Sequence, residues 1–441
     1  MNSATATLKP KTEVLRRKRT IDTVRAGLAR RYARERRFRL LGLLAVVTSF
    51  VFVGLLFISI IATGYQAIWQ TRIRLMVNLD PEVIDPEGKR DPAALSAADY
   101  GGLVKGALYE MFPEVTARAD KRALSDLVSS GAAFEVRQRV LEDPKLIGTK
   151  EAVWVTANDT VDMLMKGHAE RNAEGGAAGL QAKQVAWIDE MIRKGWIDKR
   201  FNSTFFTAGD SREPELSGIW GATVGSFYTL LVTLLLAFPI GVAGAIYLEE
   251  FARKGRWTDL IEVNINNLAA VPSIIFGLLG LAVFIGFVGL PRSSPLVGGI
   301  VLALMTLPVI IVASRSALKA VPPSIRDGAL GVGASKVQTV FHHVVPLALP
   351  GMLTGAIIGM ARALGETAPL LMIGMVAFIA DTPGGIMDPA TGLPVQIFLW
   401  ADSPERAFME RTSAAIMVLL VFMVLMNSVA IVLRRRFERR W

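Results

Sequence analysis

The sequence predicts an all-α polytopic membrane protein with six transmembrane helices and a soluble, mostly helical insert between the first two. Three observations carry this. Of 441 residues, 52% are hydrophobic and only 20% charged, above the apolar share of ordinary globular chains. Stretches 40–71, 216–248, 263–291, 293–314 and 412–433 contain no Asp, Glu, Lys or Arg, and 346–380 contains only Arg362 and Glu366. The basic residues, which give a net charge of +10, are spread unevenly.

A bilayer core is crossed by roughly 20 apolar residues as a helix. Spans are expected near 41–63, 223–248, 267–288, 296–315, 351–377 and 412–433. A basic leader, 1–39, precedes the first, and 40–68 has a longer apolar run than a secretory signal, so it is expected to remain as an anchor. The leader holds 13 Lys and Arg against 3 Asp and Glu. The positive-inside rule places it, Arg253–Arg256, 315–350 and the Arg434–Arg440 tail in the cytoplasm. The acidic loop 380–411 then falls outside, and both termini are cytoplasmic. Topology therefore accounts for the charge, and with no DNA-binding motif no nucleic-acid partner is expected. Zero Cys excludes disulfides and thiol chemistry, and three His leave too few ligands for a His-based metal site.

Residues 69–217 form an insert long enough for its own core. Ala123–Leu141, Thr160–Met165 and Gln181–Trp196 show helical spacing, and Glu151–Val155 reads as a short strand. Asp80–Pro92 and Gly175–Gly179 read as loops. His168 and Asp162 are expected at the surface. No phosphate loop, carboxylate pair or nucleophile elbow occurs in this segment, and its role is not legible.

The stretch Arg326–Pro350 is patterned beyond the needs of a connection. Asp327 reads as lying near a helix start, where its charge suits the macrodipole. Gly331 and Gly333 allow a tight turn, and Val337, Val340, Phe341, Val344 and Val345 follow at amphipathic spacing. Two short helices around a glycine turn are expected, either as a partner surface or as a cap on the bundle. In the fifth span Gly351, Gly355, Gly359 and Ala363 repeat every four residues, a pattern that allows close helix approach. At 100° per residue Arg362 and Glu366 fall on the same face. Arg362 lies 12 residues, about 18 Å, from Pro350. A charge at mid-bilayer costs roughly 2.5–3.5 kcal/mol, so the pair is either a structural ion pair or part of a path. Pro239, Pro272 and Pro308 are read as kinks or local unwinding.

The 326–350 stretch resembles the EAA loop of ABC-importer permeases, with Asp327, Ala329, Gly333 and Pro346 on its positions. Asp327 for Glu, Gly328 for Ala and His343 are departures. With Val271–Gly277 (VPSIIFG), Ala317–Pro322 (ALKAVP) and Arg362–Leu370 (RALGETAPL), the chain resembles the phosphate ABC-transporter permease subunit of the PstA type, closely over 216–441. The resemblance implies a type I importer permease domain over 218–441, with its coupling loop at about 317–350. It implies a substrate path through Arg362, Glu366 and Thr367, with Gly351, Gly355 and Gly359 packing helices. Implied partners are inorganic phosphate, a second permease of the PstC type, two copies of an ATP-binding subunit, a periplasmic phosphate-binding protein and membrane lipid, in a bacterial inner membrane. ATP and Mg would be bound by the partner ATPase, and this chain would hold no cofactor and not be an enzyme. No G-x-x-x-x-G-K-[ST] occurs in it. The 69–217 insert resembles an uncharacterised domain of longer bacterial versions. Relatives carry Arg then Glu near 312–316, where this chain has Val312 and Arg315. A permease for sulfate or molybdate, or a membrane-anchored signalling scaffold, are the alternatives.

Overall fold

The structure, a computed structural model, describes residues 11–170, 176–177 and 179–437. Residues 1–10 of the leader, 175 and 178 of the loop 175–179, and the end of the basic tail lie outside the described residues. Helix α1 (Lys11–Gly64) is a single 54-residue helix carrying the first span. Residues 61–441 form a compact unit of their own.

The insert is not all-helical. Strand β1 (Trp69–Asn78) leaves the first span after one helical turn. Helices α2 (Tyr100–Met111) and α3 (Ala132–Glu142) follow, then β2 (Lys150–Thr156), α4 (Asp159–Lys166), α5 (Ala182–Arg193) and β3 (Ile197–Phe201). The strands form an antiparallel sheet in the order β2–β1–β3, with Ile73 opposite both Val155 and Ile197. Only β2 was expected. β1 reads as the tail of the preceding apolar run, yet Ile73, Leu75 and Val77 are buried while Arg74, Met76 and Asn78 are not, the period of two of a half-buried strand. The helix expected over Ala123–Leu141 is two, broken between Ser125 and Ala132. Both pack into one core with the sheet, through Leu124, Val136 and Val140.

Among the described residues, five helices are long and apolar enough to cross a membrane, six if one bent pair counts as a single span. Helix α6 (Trp220–Ile246) runs on in a wide turn to Phe251. The expected third span is broken: α7 (Arg256–Ala269) and α8 (Ser273–Leu279, continuing to Phe287) meet at 103°. Pro272 sits at the break as the N-cap of α8, its fixed φ and missing donor unsuited to a helix interior. Pro239 and Pro308 stand inside helices that continue past them. Helix α9 (Pro295–Ala320) is followed by the short α10 (Pro323–Gly331) and then α11 (Lys336–Gly365). The fifth span therefore starts earlier than expected and stops twelve residues sooner than 377. Helix α12 (Ala368–Met372), α13 (Leu393–Ala401) and α14 (Phe408–Phe437) complete the chain.

Glycines pack the spans around α9. A Cβ on Gly351 would lie 2.5 Å from that of Ala317, and one on Gly355 2.4 Å from that of Ala313. Gly241 of α6 is pressed as closely on Ile310, and Gly299 on Val232.

The insert is bolted to the spans at its root. Asn202, fully buried, donates through Nδ2 to the Ala67 carbonyl at 3.0 Å and accepts from the Phe205 N–H at 3.0 Å. Asp162, expected at the surface, is buried on α4, where its carboxylate accepts from the Thr71 N–H at 2.8 Å. Lys166 Nζ bridges Asp162 and Glu410, 2.6 Å from an oxygen of each. Next to them Arg411, also buried, donates to the Ser217 carbonyl at 3.3 Å. His168 stays exposed, 3.9 Å from Glu410. A buried cation shared by two carboxylates costs much to remove, because the carboxylates remain without it. Lys166→Met is expected to destabilise the insert–span junction by about 3–5 kcal/mol, and Lys166→Met with Glu410→Gln to recover part of that. Thermal unfolding of the detergent-solubilised chain measures both; equal losses in the two variants would contradict the clasp.

Candidate coupling surface and substrate path

The segment between α9 and α11 is built by two local devices. The Ala334 N–H donates to the Ala329 carbonyl at 3.1 Å and the Gly333 N–H to the Leu330 carbonyl at 3.0 Å. That pair is a Schellman ending with Gly333 as its left-handed residue, φ +91°. Ser335 then caps α11: its hydroxyl accepts from the Gln338 N–H, while Gln338 Oε1 accepts from the Ser335 N–H. The Ser-x-x-Gln spacing of this capping box was visible in the sequence and not used. One short helix and the first turns of a long one therefore stand where two short helices were expected. Asp327 lies mid-helix and exposed, not at the helix start. Pro346 lies inside α11, directly after the wide turns of Thr339–Val344, which make room for a residue lacking a donor.

Salt bridges hold this loop against the bundle. Arg326 pairs with Glu250 at 2.6 Å and donates to the carbonyls of Val321 at 2.8 Å and Leu318 at 2.9 Å. Arg315, out of place by sequence, bridges Glu262 at 2.6 Å and Glu249 at 3.4 Å. Neither partner is legible in sequence, because each is more than fifty residues away. The outward side shows Leu330, Val332, Val337 and Phe341, between 48% and 87% exposed. Exposed apolar side chains gathered on one short segment suit a partner surface.

The second constellation lies at the other end of α11. The helix stops at Gly365, and Glu366 is extended (φ −80°, ψ 122°). Glu366 is therefore not one turn further along the helix, as the 100° count had it. Arg362 Nε still lies 3.4 Å from Glu366 Oε1. Gly355 and Gly359 are buried against α9, whereas the Arg362 side chain is 48% exposed, so it points away from the packed stripe. Half-buried Thr367 starts α12, its carbonyl accepting from the Leu371 N–H at 3.0 Å. A Cβ on Gly277 would come 2.7 Å from Pro369 Cα. The two motifs 271–277 and 362–370 thus meet, break against break, and Phe276, Ala363, Leu364 and Leu370 share one core cluster.

The insert holds a polar cleft of about 1190 Å³. Lys105, Arg118, Lys121 and Arg122 line it, and so do Asp159, Glu213 and Glu215. Burial pushes the Glu215 carboxyl up from an ordinary 4.5 to about 7, with the Asp159 and Glu213 charges adding to the effect. Burial raises Asp159 as well. Among the described residues no group of three or more His, Cys, Asp and Glu is arranged to hold a metal.

Glycine-packed spans, paired helix breaks and a capped loop with an apolar face define a membrane permease component. Residues 220–441 match the family described as binding-protein-dependent transport system inner membrane component, and residues 25–174 match a domain of unknown function, DUF3333. The chain is 32% identical over 234 residues to the "Probable ABC transporter permease protein YqgI" of Bacillus subtilis, covering 50% of this chain and 78% of the relative. It is 30% identical over 260 residues to the "Phosphate transport system permease protein PstA 1" of Mycobacterium tuberculosis, covering 58% and 83%. A structure of the inward-facing MetNI methionine ABC transporter is similar at a TM-score of 0.41 and 19% identity, covering 50% of this chain and 98% of that one. The chain belongs to the binding-protein-dependent transport system inner membrane component family. It is a multi-pass permease subunit of an ABC importer and not itself catalytic; ATP is hydrolysed by a partner ATPase, and the family works with a binding protein.

Two outcomes follow from this geometry. Gly333→Ala places a Cβ at a left-handed residue, which costs about 1–2 kcal/mol, and is expected to lower ATP-driven uptake severalfold at unchanged chain abundance, read by transport assay. Glu215 holds its proton more tightly folded than unfolded. Its stabilising share is full below about pH 4.5 and is lost as pH rises through 7, by about 3 kcal/mol. Glu215→Gln is expected to flatten that part of the stability–pH profile, measured by thermal unfolding across the range.

Proposed function

We propose that this subunit conducts phosphate. One such chain would pair with a second, related permease of the PstC type and two copies of the ATPase, and a periplasmic phosphate-binding protein would deliver the anion. The complex sits in a bacterial inner membrane, with both termini cytoplasmic, 1–39 as the cytoplasmic leader, 40–68 as the first span, 69–217 outside and 218–441 as the permease domain. Basic segments at 315–350 and at the C-terminal end support that orientation.

One observation carries the reading: an exposed Arg362 guanidinium, loosely held by Glu366, at the point where two broken helices meet. A guanidinium offers a planar fork that matches phosphate oxygens. Glu366, beside the same nitrogen, competes for it when the anion leaves and keeps the site from trapping its cargo. Thr367, at the broken helix end, adds a hydroxyl within the same motif. Relatives named as phosphate transport system permeases, from Mycobacterium tuberculosis and Haemophilus influenzae, align over about half of this chain. On the opposite end of α11, Asp327, Ala329, Gly333 and Pro346 form the coupling loop. There the apolar face of α10 seats in the ATPase, so that ATPase closure switches access to the path.

The test is uptake of radiolabelled phosphate by vesicles holding the assembled complex. Unlabelled phosphate is expected to compete, and sulfate and molybdate not to. Arg362→Lys, which keeps the charge and loses the fork, is expected to lower uptake about tenfold or more while the subunits still co-purify. Competition by sulfate or molybdate would reassign the anion. Loss of the complex itself would make Arg362 and Glu366 a structural pair.

A further inference from the structure

An exposed aromatic patch surrounds the root of the insert and takes no part in the coupling surface or the path. Trp69 opens β1 directly after the helical turn Tyr65–Ile68 that ends the first span. Phe201 closes β3 opposite it in the ladder, so both side chains leave the same face. The Phe206 ring stacks on Phe201, centroids 5.6 Å apart and planes within 3°, backed by buried Phe205 at 5.0 Å. Trp220, the first residue of α6, is tied to the same segment by its N–H, which donates to the Ala208 carbonyl at 3.1 Å. Tyr65, Trp69, Phe201, Phe206 and Trp220 are between 37% and 57% exposed.

Their place in the chain says what covers them. The first span ends at Gly64 and the second begins at Trp220. The backbone therefore holds this patch at the level where hydrocarbon gives way to headgroups. Trp and Tyr favour that layer because one part of each ring is apolar and the other polar. Charge returns at the same level: no charged residue occurs from 40 to 71, then Arg72 follows, and Lys199 and Arg200 of β3 stand beside Thr71 and Gln70 in the ladder. The far end of β1 differs. Met76 is also exposed, but it lies seven residues further along the strand, about 23 Å away.

We infer that this patch is a lipid contact, seating the root of the insert in the headgroup layer on its own side of the membrane. Phe201 and Phe206 enter the upper acyl region, Trp69, Tyr65 and Trp220 lie at headgroup depth, and Lys199, on the same face of β3 as Phe201, faces lipid phosphates. The insert is thereby held at a fixed tilt to the bilayer by lipid as well as by its two connections to the spans.

The chain has no cysteine, which makes a direct test practical. Single substitutions Phe201→Cys, Phe206→Cys and Met76→Cys in the full chain are labelled with a nitroxide and reconstituted in vesicles of phosphatidylethanolamine and phosphatidylglycerol. Collisions with oxygen, which enriches in lipid, and with a water-soluble nickel chelate then report depth. At 201 and 206 oxygen is expected to exceed the chelate severalfold, with the reverse at 76. Labels at 201 and 206 as open to the chelate as 76 would overturn the inference. So would labels shielded from both reagents, which would mean that protein covers the patch. If one label disturbs folding, agreement must come from the other, with thermal unfolding as the check.

Discussion

The constraint on which the membrane part depends is steric. Gly351 and Gly355 lie so near Ala317 and Ala313 that a single methyl group on either glycine would collide with α9. That contact binds α9 and α11 into a hairpin, and the proposed coupling surface and path lie at its two ends. At one end the turn of the hairpin is α10 with its Gly333 stop and Ser335 start. At the other, α11 breaks at Glu366, beside Arg362. Under that proposal, movement imposed on the turn would be carried to the break along a helix packed tightly on its neighbour, because small-residue contacts leave little slack.

A break in a membrane helix frees backbone groups that lipid cannot satisfy, so breaks persist where protein or water surrounds them. The break between α7 and α8 and the break after α11 belong to motifs that share the Phe276 and Leu370 cluster, and Gly277 is the glycine that lets Pro369 come close. Two irregularities that would each be costly alone are thus enclosed by one core, and Arg362, paired with Glu366, stands beside it.

The insert follows another logic. Its sheet has its own core, yet it is rooted through buried polar groups: Asn202 on the backbone of the first span's end, and Lys166 between Asp162 and Glu410. Apolar packing alone would let such a domain rock on its two connections. Directional hydrogen bonds and a buried charge, which must keep its partners, specify one seat.

Sequence alone determined most of the membrane architecture. Charge-free runs mark spans because burying a charge in lipid is costly, and that cost is paid residue by residue, within a window short enough to read. The four-residue glycine repeat and Gly333 as a turn were legible for the same local reason. Tertiary structure decided the rest. Arg315 and Arg326 find Glu262 and Glu250 across more than fifty residues, and Asp162 is buried where β1 and α14 bring Thr71 and Glu410 to it and to Lys166. β1 was hidden behind the span it follows, since an apolar residue is the same letter in a strand as in a membrane helix. The break at Glu366 escaped a count that assumes a continuous helix, and where a helix ends is settled by its neighbours as much as by its own residues.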